Sequence, residues 1–265
     1  MSHPDPYKPP PRTIAAPLPS AQRPPPAYPP AYPPVADAGA PPALELTADM
    51  LAEPSAAKRF DFERGMKMFP PLTMLLIVYL TIVFAWELSV GALENRAAIM
   101  QAGALERQAV MNGEVWRIFT AMHLHGSVDH LLGNFFGLFL MGLAVEHAFG
   151  FMPAALIYLC AGVSGAIMSL VFEGGPTVGA SGAIFGWWGA AVVFLYRFRQ
   201  KLLMRDARVA FVLLAWAGWT ILLGFLSVEV SNFSHLGGFI AGAALAMLLP
   251  TRLVELQPAT SDDDA

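Results

Sequence analysis

The 265-residue sequence predicts an all-α membrane protein of six spanning helices, on three observations. Charged residues make up only 14% of the chain, where soluble domains carry roughly 25%, and the mean hydropathy is +0.51. From Phe69 onward the chain contains six apolar runs, at about 70–90, 130–149, 153–172, 180–196, 209–227 and 234–250. Each is close to the ~20 residues that cross a hydrocarbon core of ~30 Å. No Lys or Arg occurs from Ile118 through Tyr196, a stretch of 79 residues. The runs are continuously apolar rather than alternating, which fits spanning helices and not barrel strands. Six buried helices of a large soluble core would need polar outer faces, and the sequence supplies none.

The segment before the body has a different composition. Seventeen of the 23 prolines lie in residues 1–54, and Ala-Tyr-Pro-Pro recurs in tandem at 27–30 and 31–34. Such a stretch buries too little apolar surface to offset its ordering entropy, so a disordered tail with polyproline II character is expected. It lacks the basic start and apolar run of a secretory signal, and it could engage an unknown partner of the kind that reads proline-rich segments. Residues 55–68 (SAAKRFDFERGMKM) form a charged lead-in. The expected domains are therefore a tail and lead-in over 1–67, a membrane domain over 68–250 and an acidic tail over 251–265. The net charge of −4 disfavours a nucleic-acid partner, and the lone Cys160 has no disulfide partner in the chain.

Basic residues set the orientation. Thirteen of the 16 fall in the N-terminal tail, the 197–208 loop and Arg252; only Arg96, Arg107 and Arg117 fall on the opposite side. Both termini are expected in the cytoplasm, and a bacterial plasma membrane is the expected location because residues 1–54 carry no transit-peptide pattern.

Polar residues inside spans are costly and by default point to function. The segment entering the second span, HGSVDHLLGN, contributes His125, Asp129, His130 and Asn134; the fourth opens on GASG with Ser181; the sixth opens on NFSHLGG with His235. Ser181 lies 16 residues before Arg197, and His235 lies 17 before Arg252. At 1.5 Å per residue, both sit roughly 24–26 Å above the inner boundary, a few ångströms below the outer surface. His130 lies 20 residues before Gly150, the expected inner turn, and Asn134 shares its helix face one turn deeper. A serine, two histidines and an asparagine from three spans thus share one depth.

A serine hydroxyl becomes a nucleophile when a base accepts its proton. His130, Asn134 and the Ser181 amide at a helix start can donate to an oxyanion. Gly179 and Gly182 allow close backbone approach. Taken singly, Ser181 could be a helix cap and His235 a structural histidine. The pairs Gly182 with Gly186 and Gly238 with Gly242 also read as small-residue packing faces. No carboxylate in the spans is placed to orient His235, so the reading is a dyad. A zinc site from His123, His125 and His130 lacks a completing carboxylate or cysteine, and no H-E-x-x-H occurs, so neither metal nor cofactor is expected.

Together these residues resemble the rhomboid family of intramembrane serine proteases over roughly 68–250. The resemblance rests on Trp116-Arg117, then His130 and Asn134, then Gly179-Ala180-Ser181-Gly182, then Ser234-His235 with Gly238 and Gly242, in that order within a six-span body. It implies a six-helix rhomboid-like bundle with Ser181 as nucleophile, His235 as base, and His130 and Asn134 in the oxyanion hole. It also implies structural roles for Trp116 and Arg117 in an external loop, and for Glu146 in locking helices together. The implied reaction is cleavage of transmembrane segments of single-span membrane proteins. The loop 228–234 would cap the site, and the fifth span would act as a lateral gate. The chain departs from the family in its Pro-rich tail, where some members carry a small folded domain, and in Ser234, where alanine is frequent. Two other readings compete: a catalytically inactive rhomboid-like protein that binds membrane clients, and a small transporter. Both Ser181 and His235 being present argues against the first. Polar groups gathered near one face, with no convincing internal repeat, argue against the second.

Overall fold

The computed structural model describes residues 60–203, 215, 218–220 and 231–253. The chain divides into two units, Met1–Ala52 and Glu53–Ala265, and the first lies wholly outside the described residues. So do most of the fifth apolar run, residues 228–230 and the acidic tail beyond Leu253.

The described chain is helical. Helix α1 runs Pro71–Ser89; three short helices follow in a long connection, α2 (Arg96–Ala102), α3 (Arg107–Met111) and α4 (Arg117–Thr120), the last continued by a 3₁₀ turn, Ala121–His123. Then come α5 (Val128–Phe149), α6 (Phe151–Phe172), α7 (Ser181–Phe198) and α8 (Asn232–Leu248). Residues Phe60–Asp61 (β1) and Leu202–Leu203 (β2) pair in parallel over two residues. Helices α1, α5 and α6 are long and apolar enough to cross a membrane, and α8 is a shorter apolar helix. The expected boundaries shift by only one or two residues, with one consequence at the sixth run: α8 begins at Asn232, so Asn232, Phe233 and Ser234 are helical and do not belong to a capping loop.

Local signals explain the helix ends. Prolines 70 and 71 open α1, where a missing N–H costs nothing. Ser127 caps α5 by accepting the His130 N–H at 3.2 Å, and Ser231 caps α8 by accepting the Ser234 N–H at 2.9 Å. A single residue, Gly150, separates α5 from α6; its φ of 86° is what allows so abrupt a reversal.

Helix α7 is buried along most of its length and packs against α5, α6 and α8. Ile184, Trp187 and Ala190 meet Leu138, Met141 and Ile157 in the core, and the Trp187 indole donates to the Ala154 carbonyl at 2.8 Å. The outer faces of α1, α5 and α6 expose Leu75, Ile82, Leu132, Phe136 and Ile167, as a lipid-facing surface requires.

Small residues bring α7 and α8 together at the backbone. A methyl group on Gly238 would collide with the Gly182 carbonyl, and one on Gly242 with the Gly186 carbonyl. On α6, a methyl on Gly165 would meet the Ser234 carbonyl oxygen at 2.6 Å. In lipid, where lipid tails are as apolar as the side chains, such close contact is the main source of helix attraction. Here it also sets the distance between the first turns of α7 and α8.

Two polar anchors hold the rest. The Glu146 carboxylate, buried near the end of α5, accepts the Leu72 and Thr73 N–H groups at 3.0 and 3.1 Å and the Thr73 hydroxyl at 3.2 Å, tying α5 to the start of α1. The buried Arg117 guanidinium donates to the Met100 and Ala104 carbonyls at 2.6 and 2.9 Å and pairs with Glu114. It also lies 4.7 Å over the half-exposed Trp116 ring. Arg107 reaches the last carbonyls of α6, Leu170 and Val171, at 2.6 and 2.9 Å. The connection is thereby fixed on the end of the bundle that carries Ser181.

Candidate active site

Ser181 is the first residue of α7. The turn before it is shaped by Gly179, with φ of 121° and its N–H donated to the Ala121 carbonyl at 2.9 Å. Glycine is required there twice over. The backbone is left-handed, and a side chain would enter space that two other residues occupy: its Cβ would lie 2.7 Å from the His130 ring and 3.5 Å from Asn134 Nδ2.

His235 stands in the first turn of α8, within reach because α7 and α8 touch at Gly182 and Gly238. Its Nε2 is hydrogen-bonded to Ser181 Oγ at 2.9 Å. The imidazole stacks on the Phe185 ring, with centroids 4.1 Å apart and planes within 5°. Phe185 lies one turn below Ser181 on α7, so one helix supplies both the hydroxyl and the surface that orients its partner. His235 is 2% exposed, and its other ring nitrogen, Nδ1, is buried without a hydrogen-bond partner among the described residues.

His130 and Asn134 lie in successive turns of α5 and face Gly179. Asn134 is buried, and its Nδ2 donor has no partner among the described residues. An unpaired buried donor costs about 1–3 kcal/mol, so an amide nitrogen in this position beside a serine and histidine has the character of a ligand-binding group. The structure thus brings Ser181, His235, His130 and Asn134 together. Trp116, Arg117 and Glu146 lie elsewhere, in the anchors described above. Gly182, Gly238 and Gly242 form the α7–α8 contact. Asp129 is exposed.

Two further histidines, His123 and His125, pack. His123 meets Tyr79 edge to face at 5.3 Å. His125, in the loop before α5, is fully buried and its ring meets His130 at 5.3 Å. Burial, followed by the charge of His130, pushes its pKa down to about 3. Its backbone N–H is received by Glu87, at 2.9 and 3.2 Å to the two carboxylate oxygens. Sequence reasoning passed over Glu87, which is completely buried in α1. The signal was present as the one acid within an otherwise apolar run. Among the described residues, no group of three or more His, Cys, Asp or Glu could hold a metal ion.

Comparison with known proteins gives the family. A family model described as "Rhomboid domain" matches residues 112–252. The chain belongs to the rhomboid family of intramembrane proteases. This rhomboid is an integral membrane protein, and it is 35% identical over 185 residues to rhomboid protease GluP of Bacillus subtilis (strain 168), across 68% of its own length and 36% of GluP. It is similar to two Arabidopsis thaliana proteins as well. It shares 37% identity over 160 residues with RHOMBOID-like protein 2, covering 60% of this chain and 50% of that one. It shares 40% over 163 residues with RHOMBOID-like protein 7, covering 58% and 50%. The chain thus spans about a third to a half of the length of these relatives.

Proposed function

We propose that this rhomboid is a serine endopeptidase that hydrolyses peptide bonds in or near the transmembrane segments of single-span membrane proteins. The observation that carries the reading is the 2.9 Å hydrogen bond between Ser181 Oγ and His235 Nε2, formed beside the Asn134 amide nitrogen, which has no partner among the described residues. In the first step Ser181 Oγ attacks the scissile carbonyl carbon and its proton passes to His235 Nε2. The negative charge that develops on the carbonyl oxygen is met by the Ser181 N–H, the Asn134 Nδ2–H and the His130 ring. His235 then gives the proton to the departing amine nitrogen, leaving an ester on Ser181. Water, deprotonated by His235, attacks that ester and restores the serine.

In a Ser-His-Asp site a carboxylate holds the imidazole. Here the Phe185 ring supplies the orientation, by stacking at 4.1 Å. The reading includes a body of six spans with both termini in the cytoplasm, in a bacterial plasma membrane, with the catalytic end toward the outside. The fifth span serves as a lateral gate for the substrate helix. That helix must unwind locally to present a carbonyl, so helix-breaking or small residues are expected near the cut.

The test is cleavage of a model single-span substrate by purified wild type, Ser181→Ala and His235→Ala, with fluorophosphonate labelling of Ser181 as an independent readout. Both variants should lose cleavage and Ser181→Ala should lose the label. Undiminished cleavage by Ser181→Ala would sink the mechanism. A wild type that binds the substrate but neither cuts nor labels would favour a client-binding rhomboid. Cross-linking the second and fifth spans should block cleavage, and retained cleavage would remove the gate.

A further inference from the structure

At the end of the bundle opposite Ser181, a cavity of about 290 Å³ opens between the residues that lead into α1, the α5–α6 turn and the residues after α8. Arg64, Lys67 and Arg252 stand at its walls, with Glu146, His147 and Phe151. The single carboxylate in this set is already committed, since Glu146 accepts the Leu72 and Thr73 N–H groups. Lys67 and Arg252 alone outnumber this carboxylate, so positive charge is in excess among the lining residues. His147 adds a buried Nε2 without a hydrogen-bond partner among the described residues. Exposed apolar side chains adjoin the lining in sequence: Met68 and Phe69, which follow Lys67, are 72% and 66% exposed, and Met152, which follows Phe151, is 73% exposed.

Cations around a small cavity, with large exposed apolar side chains adjoining its lining in sequence at the end of membrane-spanning helices, match one kind of ligand. It has a compact anionic head and apolar chains. The volume is at the lower edge of the roughly 300–1,000 Å³ of small-molecule sites, enough for a headgroup and too small for a whole lipid. We propose that this cavity binds the phosphate headgroup of an anionic phospholipid, with Arg252 and Lys67 as its charge partners and the acyl chains lying along Met68, Phe69 and Met152. In the orientation proposed above the cavity faces the cytoplasmic leaflet, whose anionic lipids attract basic residues beside a membrane span. A bound headgroup would bridge the residues before α1 and those after α8, next to the Glu146 anchor. The proposal concerns the end of the molecule remote from Ser181 and does not depend on its chemistry.

The experiment is native mass spectrometry of the full-length protein, purified in detergent and titrated separately with phosphatidylglycerol and phosphatidylcholine. The wild type should retain phosphatidylglycerol at least tenfold over phosphatidylcholine. The double variant Lys67→Gln with Arg252→Gln should lose that preference, and Arg252→Lys should keep it. If the double variant fails to fold, Lys67→Gln alone, at an exposed position, should reduce the preference measurably. Equal retention of the two lipids by the wild type, or an unchanged preference in the variants, would overturn the proposal. Displacement of the lipid by millimolar inorganic phosphate would assign the cavity to the free ion and overturn it too. Removal of residues 256–265, which carry Asp262, Asp263 and Asp264, should leave retention unchanged. A tenfold rise on that removal would identify the acidic tail as the occupant instead.

Discussion

Two sets of buried polar groups, one at each end of the bundle, differ in whether their bonds are made within the protein. Near the start of α1, the Glu146 carboxylate takes three donors, from Leu72 and Thr73. Beside Ser181, Asn134 Nδ2 and His235 Nδ1 are buried with no partner among the described residues. A buried polar group costs little when its bonds are made within the protein, and such a group holds structure. One left unmade costs stability, and it is retained where something else completes it. The contrast separates an anchor from a site without reference to any relative, and it makes opposite predictions for mutations at the two ends.

The largest expected effect is at the site and should appear chiefly in rate. Ser181→Ala removes the nucleophile and one hydrogen bond, so cleavage of a model substrate should fall by at least about 10³-fold. The melting temperature in detergent should fall by only about 2–4 °C, because one hydrogen bond is lost and His235 Nε2 is left without it. A large loss of stability in this variant would mean that the serine is an anchor after all, and the contrast would collapse.

The mirror image is Glu146→Ala. It strips a buried carboxylate from two backbone amides and a hydroxyl, and should destabilise the protein by about 3 kcal/mol. Measured as unfolding in detergent, the loss should be plain, while fluorophosphonate labelling per folded molecule should change by less than about threefold. Asn134→Ala comes next and has the reverse signature. Losing one oxyanion donor should cost roughly 10²-fold in kcat. Stability should be unchanged or slightly raised, since a buried donor with no partner among the described residues has been deleted. If Asn134→Ala instead unfolds the protein as readily as Glu146→Ala, the distinction between the two ends fails.

How much of this was legible in the sequence follows from the kind of signal each feature leaves. Span positions came from continuous apolar runs, a signal that needs no knowledge of tertiary contacts, and α1, α5 and α6 match them within two residues. The common depth of Ser181, His235, His130 and Asn134 came from counting along helices of fixed rise, and the structure brings these four side chains together. What counting could not supply was rotation about each helix axis and the identity of cross-helix neighbours. The stacking of His235 on Phe185 depends on how closely α7 and α8 approach, which is set by the Gly182–Gly238 contact. Glu87 was missed for a related reason. Its partner is a backbone N–H, that of His125, and backbone groups are invisible to a search for pairs of side chains. Cytoplasmic termini and the sixfold span count rest on charge placement and on the fifth run, and the latter lies largely outside the described residues.

The smallest expected effect tests a residue between the two classes. His125 is fully buried, edge-on to His130, with its backbone N–H held by Glu87, and its imidazole pKa is pushed down to about 3 by burial. The folded state therefore binds a proton at His125 less readily than the unfolded chain, where histidine titrates near 6.5. Between those two values the unfolded state carries the extra proton. Stability from this group is then full above about pH 6.5 and is lost as pH falls, at no more than ~1.4 kcal/mol per pH unit. Other groups also titrate in this range, so the quantity to measure is a difference. Glu87 meets the backbone of residue 125 rather than its ring, and a His125→Gln variant keeps that contact while removing the imidazole. Between pH 6.5 and 5 the wild type should lose stability relative to this variant by up to about 2 kcal/mol. Parallel curves for the two proteins would mean that water reaches the imidazole, and His125 would then belong with the open, substrate-facing groups rather than with the packing that supports them.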